Sequence, residues 1–115
     1  MKTKWIKIKE EGIEITNKQQ YNGKTYPEIL KKVKEEEIAS YELLQRLRNT
    51  KKYNFLKDFW VFVPNPDKIS KKRNCVAGFV ADSDRADLYC NGLPYYSYPS
   101  LGVFLIRKLK NENKS

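Results

Sequence analysis

Histidine is absent from this chain of 115 residues, and its absence removes several kinds of chemistry. Without an imidazole, no side chain titrates near neutral pH in its unperturbed state, and no Ser–His or Cys–His nucleophile can form. Nearly all zinc catalysis is excluded for the same reason. We therefore expect a protein that is not an enzyme and that carries no cofactor.

Cysteine is scarce as well, since Cys75 and Cys90 are the only two. Two cysteines can form at most one disulfide, and without histidine they cannot complete a zinc site. Free thiols are the default expectation. Pairing stays open if the two residues lie on neighbouring strands.

Long apolar runs are also missing. Residues 1–12 never develop the apolar core of a signal peptide. No stretch approaches the roughly 18 apolar residues that a membrane span needs. We therefore expect no membrane association and, by default, a cytoplasmic location.

The segment of residues 74–107 lacks several residue types that the rest of the chain contains. These 34 residues contain no Lys, Glu, Gln, Met or Trp. Of the other 81 residues, 33 belong to those five types, a frequency that would place about fourteen of them here. A buried sheet with tight loops avoids long charged side chains, which is one explanation. The other explanation is genetic, because these five amino acids are the ones that no codon ending in a pyrimidine encodes.

The residues that are present indicate one small domain with a basic surface. A chain with 40% apolar and 13% aromatic residues is globular, and its length allows a modest core. The net charge of +9 serves solubility, or it indicates a nucleic acid or acidic partner. A nucleic-acid site would use the basic residues Lys51, Lys52, Lys57, Lys68, Lys71, Lys72 and Arg73. We expect nucleic acid not to be the ligand, because the charges nearest the aromatic-rich segment are mainly aspartates.

Apolar periodicity predicts strands at both ends of the chain with helices between them. Residues 5–9 and 13–15 alternate as half-buried strands do, with a turn between them at 11–12. Two helices are expected between residues 26 and 49, the second starting at 39 or 40. Glu35-Glu36-Glu37 either continues the first helix or breaks it. Four short strands follow, at 55–63, 76–81, 86–90 and 101–108, and this order favours an α+β domain.

The same periodicity predicts how these elements pack. Residues 5–8 and 103–107 are expected to be neighbours in one sheet, with the helices against it. The run 59–63 is nearly all apolar, which indicates a strand buried on both faces. The expected core consists of Ile6, Leu30, Val33, Leu44, Leu47, Trp60, Phe62, Leu88, Val103 and Leu105.

Four of the eight tyrosines fall between Tyr89 and Tyr98, among Ser, Gly and Asn residues. This composition is typical of antibody-like binding surfaces, because tyrosine offers a large contact area at a low entropic cost. The alternative is that some of these rings cover the edge of the core. Strand alternation would place Leu88 and Cys90 on the core face and Asp87 and Tyr89 on the outer face.

Asp82, Asp84 and Asp87 form an acidic group in the same segment. Closely spaced carboxylates can chelate calcium, but the glycine and the distal glutamate of a calcium-binding hand are missing. A loop that hydrogen-bonds its own backbone is the favoured interpretation, and calcium stays an alternative.

The second half of the chain resembles a known protein family. The residues that carry the resemblance are Val76-Ala77, Phe79, Ala81-Asp82-Ser83, Arg85-Ala86, Leu88, Cys90 and the run 101–107. They are similar to the C-terminal variable region of proteins diversified by retroelements, and the small archaeal members are the most similar. In that family, template adenines are copied with errors, so that asparagine codons become many others. The variable region lies in a C-type lectin fold whose closing strand is similar to residues 101–107.

The resemblance covers most of the chain loosely and residues 59–107 more closely. It implies one C-type lectin-like domain at 1–110, of α+β class, with two helices packed on small, mainly antiparallel sheets. The variable region would span about 74–107, and 111–115 would be a polar tail. How such a protein meets an external ligand stays open, because no secretion signal, membrane anchor or display module is recognisable.

The resemblance also implies a ligand-binding protein with variable residues on a fixed scaffold. The expected variable positions are Val80, Asp84, Asp87, Tyr89, Asn91, Gly92, Leu93, Tyr95, Tyr96 and Tyr98. The expected fixed positions are Phe79, Ala81, Leu88, Leu101, Gly102 and Val103. We expect a monomer that binds a macromolecule, most simply a protein, with no metal ion.

Overall fold

The computed structural model describes residues 3–50, 52–53, 56, 59–64, 74–79, 86–92 and 97–109. For residues 74, 86, 91 and 92 it describes the backbone alone. This part of the chain is an α+β structure with two helices and two three-stranded antiparallel sheets, as the sequence predicted. The strands are β1 (Trp5–Ile8), β2 (Ile13–Thr16), β3 (Phe59–Val63), β4 (Asn74–Phe79), β5 (Ala86–Gly92) and β6 (Ile106–Lys108), and the helices are α1 (Tyr26–Leu30) and α2 (Tyr41–Asn49).

The first sheet contains both ends of the described chain, in the order β1-β2-β6. The prediction that residues 5–8 and 103–107 are neighbours is wrong in one respect, because β2 lies between them. A short 3₁₀ turn, Lys9–Glu11, and the left-handed Gly12 (φ 67°) fold β1 directly onto β2 as a hairpin. The open edge of β2 then pairs with β6, from Ile13 opposite Lys108 to Ile15 opposite Ile106.

Both helices begin at side-chain caps that the sequence supplies. The Thr25 hydroxyl accepts a hydrogen bond from the Glu28 amide, and the Glu28 carboxylate accepts one from the Thr25 amide. Ser40 caps α2 by accepting from the Leu43 amide at 3.2 Å. Between the helices Glu35–Glu37 forms a separate 3₁₀ turn, so the acidic run does not continue the first helix, which has already ended at Leu30.

The helices cover the core with fewer residues than expected. Leu44 and Leu47 of α2 are buried as predicted, and Leu43 joins them. Leu30 is 39% exposed, which contradicts its predicted place in the core. The reason is that α1 ends at Leu30 after five residues and presents Tyr26 and Ile29 inward instead.

Among the other predicted core residues, Phe62 and Val103 are fully buried. Four more are partly buried and pack against the core: Ile6, Val33, Leu88 and Leu105. Trp60 is 42% exposed, so the expectation that β3 is buried on both faces is wrong at this residue. Alternation along β3 turns Phe59, Val61 and Val63 to one side and Trp60 with Phe62 to the other.

The predicted strand at 101–108 is not one continuous strand. Only its end forms β6, and the preceding residues make single bridges to three different parts of the chain. Val103 pairs with Gln20, and the Gly102 carbonyl accepts a hydrogen bond from the Phe62 amide at 2.8 Å. Leu105 bridges Ile38. This segment therefore connects the first sheet, the helical region and β3.

Within the described residues, no helix is long and apolar enough to cross a membrane.

Gly102 lies where a side chain has no room, which predicts the effect of a substitution. A Cβ atom there would overlap the backbone oxygen of Gln20 and lie 2.6 Å from the Asn22 amide oxygen. We expect Gly102→Ala to lower the free energy of unfolding by about 2 kcal/mol, because the obstacle is backbone. Urea denaturation measures this, with the exposed Ser100→Ala as control. Equal stability of the two variants would contradict the contact.

Candidate binding surface

The second sheet, β3-β4-β5, has one face turned to the core. Cross-strand pairs put Phe59 opposite Phe79, Val61 opposite Ala77, and Ala77 opposite Leu88. The Phe59 and Phe79 rings stack with their centroids 4.6 Å apart. Leu88 and Cys90 of β5 pack against this cluster, as alternation predicted. This face of the second sheet therefore belongs to the hydrophobic core.

The opposite face is covered over only part of its length. Phe62 and Val76 belong to a second apolar cluster, in which the Tyr26 ring of α1 lies 5.5 Å from that of Phe62. Beyond them the strand pairs bring Trp60, Gly78 and Asp87 side by side. Tyr89 lies on the same face, two residues along from Asp87.

An aromatic pair dominates this uncovered part. The rings of Trp60 and Tyr89 stack with centroids 6.1 Å apart and planes inclined by 23°. Both remain open to solvent, with Tyr89 54% exposed. Since β4 lies between their strands, the two side chains reach each other across Gly78. We call Trp60, Gly78, Asp87 and Tyr89 the aromatic face.

Gly78 makes this packing possible. A Cβ atom at this position would overlap the far edge of the Trp60 indole and lie 2.6 Å from its Cε3 atom. The indole ring therefore rests directly on the backbone of β4. A glycine inside a strand often marks such a close approach.

The predicted variable residues fall into three groups. Tyr89 and Tyr98 are exposed, and Asp87 is half-buried. Asn91 and Gly92 lie in β5, where only their backbone is described. Val80, Asp84, Leu93, Tyr95 and Tyr96 lie outside the described residues, as do Asp82 and the fixed position Ala81.

Tyr98 lies in a turn whose backbone is hydrogen-bonded to a second turn, the one that contains Gly23. The Tyr98 carbonyl accepts hydrogen bonds from the Gly23 amide at 3.1 Å and from the Leu101 amide at 2.9 Å. Tyr21, two residues before Gly23, has a left-handed backbone (φ 59°), and its side chain is also partly exposed. The backbone under Tyr98 is therefore fixed by residues far away in sequence.

Sequence reasoning missed Trp60 and Gly78. Trp60 was assigned to the core because its neighbours are all apolar, and Gly78 carried no signal by itself. The alternation along β3 could have identified Trp60, because it places this residue on the side opposite Val61. The contact of Trp60 with Gly78 could not be predicted without knowing the pairing register of β3 and β4.

Cys75 and Cys90 form a disulfide between β4 and β5, so the default expectation of free thiols is wrong. The bond lies beside the position where the register between the two strands shifts. Cys75 is fully buried, whereas its partner is partly exposed next to Tyr89. Because β5 lies at the edge of the sheet that the structure describes, the disulfide adds a covalent attachment to the strand that contributes Asp87 and Tyr89 to the aromatic face.

The aromatic face is poor in charge. The three strands read FWVFV, NCVAGF and ADLYCNG, and Asp87 is their one charged residue. Of the basic residues considered for nucleic-acid binding, Lys52 is described and pairs with Glu10 at 3.3 Å. The other six lie in segments without a description. The three strands of the second sheet thus contribute no Lys or Arg that could contact phosphates.

A metal site is not formed by the part of the chain that can be described. No group of three or more His, Cys, Asp or Glu side chains comes together there in a way that could hold an ion. The calcium alternative depends on Asp82 and Asp84, which lie outside the described residues.

Comparisons of the chain with protein-family models, with curated proteins and with solved structures found no match.

The support of Trp60 by Gly78 can be tested by fluorescence. Trp5→Phe leaves Trp60 as the single tryptophan, since the chain has two. Adding Gly78→Ala should push the indole off β4, shift its emission to longer wavelength and increase quenching by acrylamide. The matched control keeps Trp5 alone through Trp60→Phe. Its emission should not respond to Gly78→Ala, and an unchanged Trp60 signal would contradict the packing.

Reduction of the disulfide should destabilise the protein. The bond joins residues 15 positions apart, and opening such a loop lowers the free energy of unfolding by about 3 kcal/mol. Urea denaturation with and without a phosphine reductant measures the difference. Cys75→Ala/Cys90→Ala is the control, and the reductant should leave it unaffected. Identical curves for the unmodified chain would show that the cysteines are not bonded.

Proposed function

We propose that this protein binds a macromolecular ligand through a surface that a retroelement diversifies, with the aromatic face as part of that surface. Variation directed by template adenines would change exposed residues of the segment 74–107, and the buried residues would stay fixed. The proposed scaffold is a C-type lectin fold. The protein is not proposed to be an enzyme, because no base with a natural pKa near neutrality is present.

The observation that carries the proposal is that the expected fixed positions and the expected variable positions differ in burial. Among the expected fixed positions, Phe79, Leu101 and Val103 are buried. Leu88 packs on the core, and Gly102 has no room for a side chain. Of the expected variable positions whose side chains are described, Tyr89 and Tyr98 are exposed and Asp87 is half-buried. A surface tolerates variation when fixed elements hold its backbone, and this separation meets that requirement.

The composition of residues 74–107 supports the genetic part of the proposal independently. The stretch includes solvent-exposed turn residues such as Ser97 and Ser100, where Lys, Glu and Gln are normally accepted. Burial therefore explains the missing residues in β4 but not in this turn. A restriction to codons that end in a pyrimidine explains both.

Three features of the architecture support the C-type lectin proposal. Strands from both ends of the chain lie in one sheet. Two helices follow the first hairpin, and a second antiparallel sheet precedes the last strand. Of the residues proposed to vary, those that the structure describes fall on β5 of this second sheet and on the turn that contains Tyr98.

The ligand is proposed to be a protein. Interface centres are depleted in charge and enriched in aromatic side chains, and the aromatic face has both properties. Tyrosine and tryptophan also dominate the binding energy of protein interfaces. The ligand would be the partner that this particular variant fits.

The net charge of +9 favours nucleic acid as a second candidate. A gel shift with random DNA or RNA at low salt and at 150 mM salt separates the two, because phosphate contacts weaken steeply as salt rises. We expect at most weak binding that disappears at the higher salt. Strong binding at 150 mM would favour the second candidate.

The proposal predicts what surrounds the coding sequence. A reverse transcriptase gene should lie nearby, with a near-copy of the region that encodes residues 74–107. Differences between the copies should fall at template adenines in codons for the half-buried Asp87 and for exposed residues such as Tyr89 and Tyr98. Sequencing the locus checks this. Differences at Phe79, Leu88 or Val103, or the lack of a copy, would remove the diversification proposal.

A further inference from the structure

We propose that Trp60 is the constant contact of the binding surface, the side chain that meets a protein ligand whichever residues β5 carries. This inference rests on the proposed function. It starts from the position of Trp60, whose indole lies on the aromatic face although the residue belongs to β3, outside residues 74–107.

The position of Trp60 in the sequence makes it constant. A codon that begins as asparagine and changes only at its adenines keeps its final pyrimidine, and no such codon encodes tryptophan. Diversification of this kind can therefore place tyrosine on the surface but never tryptophan. β3 supplies the missing residue from outside the variable segment.

The packing of Trp60 holds the ring in place through Gly78, which is not among the positions proposed to vary. Its indole rests on the backbone of Gly78, and that support comes from β4. The stack on Tyr89 adds a second contact, which would change from variant to variant. Because Gly78 already supports the ring, which is 42% exposed, Trp60 loses little conformational entropy when a ligand binds.

The surroundings of Trp60 fit a protein as the occupant. Tryptophan is among the residues most enriched at the energetic centres of protein interfaces. The strands around it contain no Lys or Arg for phosphates and one carboxylate, Asp87. An apolar patch with so little charge in a chain of net charge +9 is complementary to a weakly charged protein surface.

Trp5 provides a matched comparison within the same chain. The Arg107 guanidinium lies 4.0 Å from the centre of its ring, and the Arg107 Nε donates to Glu14 at 2.9 Å. The exposed side of this indole is therefore occupied by a cation that the neighbouring strand holds. Trp5 lies in β1 of the first sheet, whereas β5, the strand proposed to vary, belongs to the second sheet.

The test uses displayed libraries, because it needs no knowledge of the natural ligand. Codons for Asp87, Tyr89, Asn91 and Tyr98 are randomised with a pyrimidine at the third base, on the natural scaffold and on Trp60→Ala. Both libraries are selected on yeast against serum albumin, lysozyme and streptavidin. Urea denaturation of the unselected Trp60→Ala scaffold checks that it is folded.

We expect binders chiefly from the natural scaffold, and replacing Trp60 by Ala in each binder should weaken its Kd at least about tenfold. Trp5→Phe in the same binders should change Kd less than about twofold.

The opposite results separate the two proposals. Binders of equal number and affinity from both libraries, or binders indifferent to Trp60→Ala, would overturn the role of Trp60 and leave the proposed binding surface standing. A failure of both folded libraries to yield any binder would overturn the binding surface itself, and the role of Trp60 with it.

Discussion

Backbone hydrogen bonds from residues 101–105 hold the parts of this structure together. The Gly102 carbonyl accepts from Phe62 of β3, and the Gly102 amide donates to the Gln19 side chain. Three residues later, the Leu105 amide donates to the Thr16 hydroxyl of β2, while its carbonyl accepts from the Thr16 amide. The two sheets are thereby connected through the main chain, and the identity of exposed side chains has little influence on this connection.

The same connection explains why one face can be aromatic and exposed without loss of the fold. The core side of the second sheet is filled by stacked phenylalanines and by Ala77, and Phe104 packs edge-on against Phe59 with centroids 5.3 Å apart. β5 adds Leu88 and Cys90 to that side and is held to β4 by its ladder and the disulfide. Under the proposed function, its outward residues would contribute contacts with a ligand more than stability.

The sequence predicted element types and their order better than their neighbours in space. Capped helices, hairpin turns and alternating strands depend on local chemistry, so Thr25, Ser40 and Gly12 marked their positions correctly. The pairing of β6 with β2 depends on which edge the first hairpin leaves open, and periodicity does not contain that information. Only part of the aromatic face could be predicted from the sequence. Alternation along β5 placed Tyr89 outward, whereas the contact of Trp60 with Gly78 can be recognised only once the pairing register of the strands is known.

The residues excluded from 74–107 also bear on how a diversified surface of this kind would bind. Lys, Glu, Gln and Met have long, flexible side chains, and fixing one of them at an interface loses more rotamer entropy than fixing most other side chains. A codon set that omits them leaves tyrosine, asparagine, serine and glycine, which bind with less ordering. Tryptophan is the exception, because its loss removes a rigid and energetically valuable ring. In the proposed arrangement the scaffold restores that ring at Trp60, and the codon restriction then removes mainly side chains that bind at a high entropic cost.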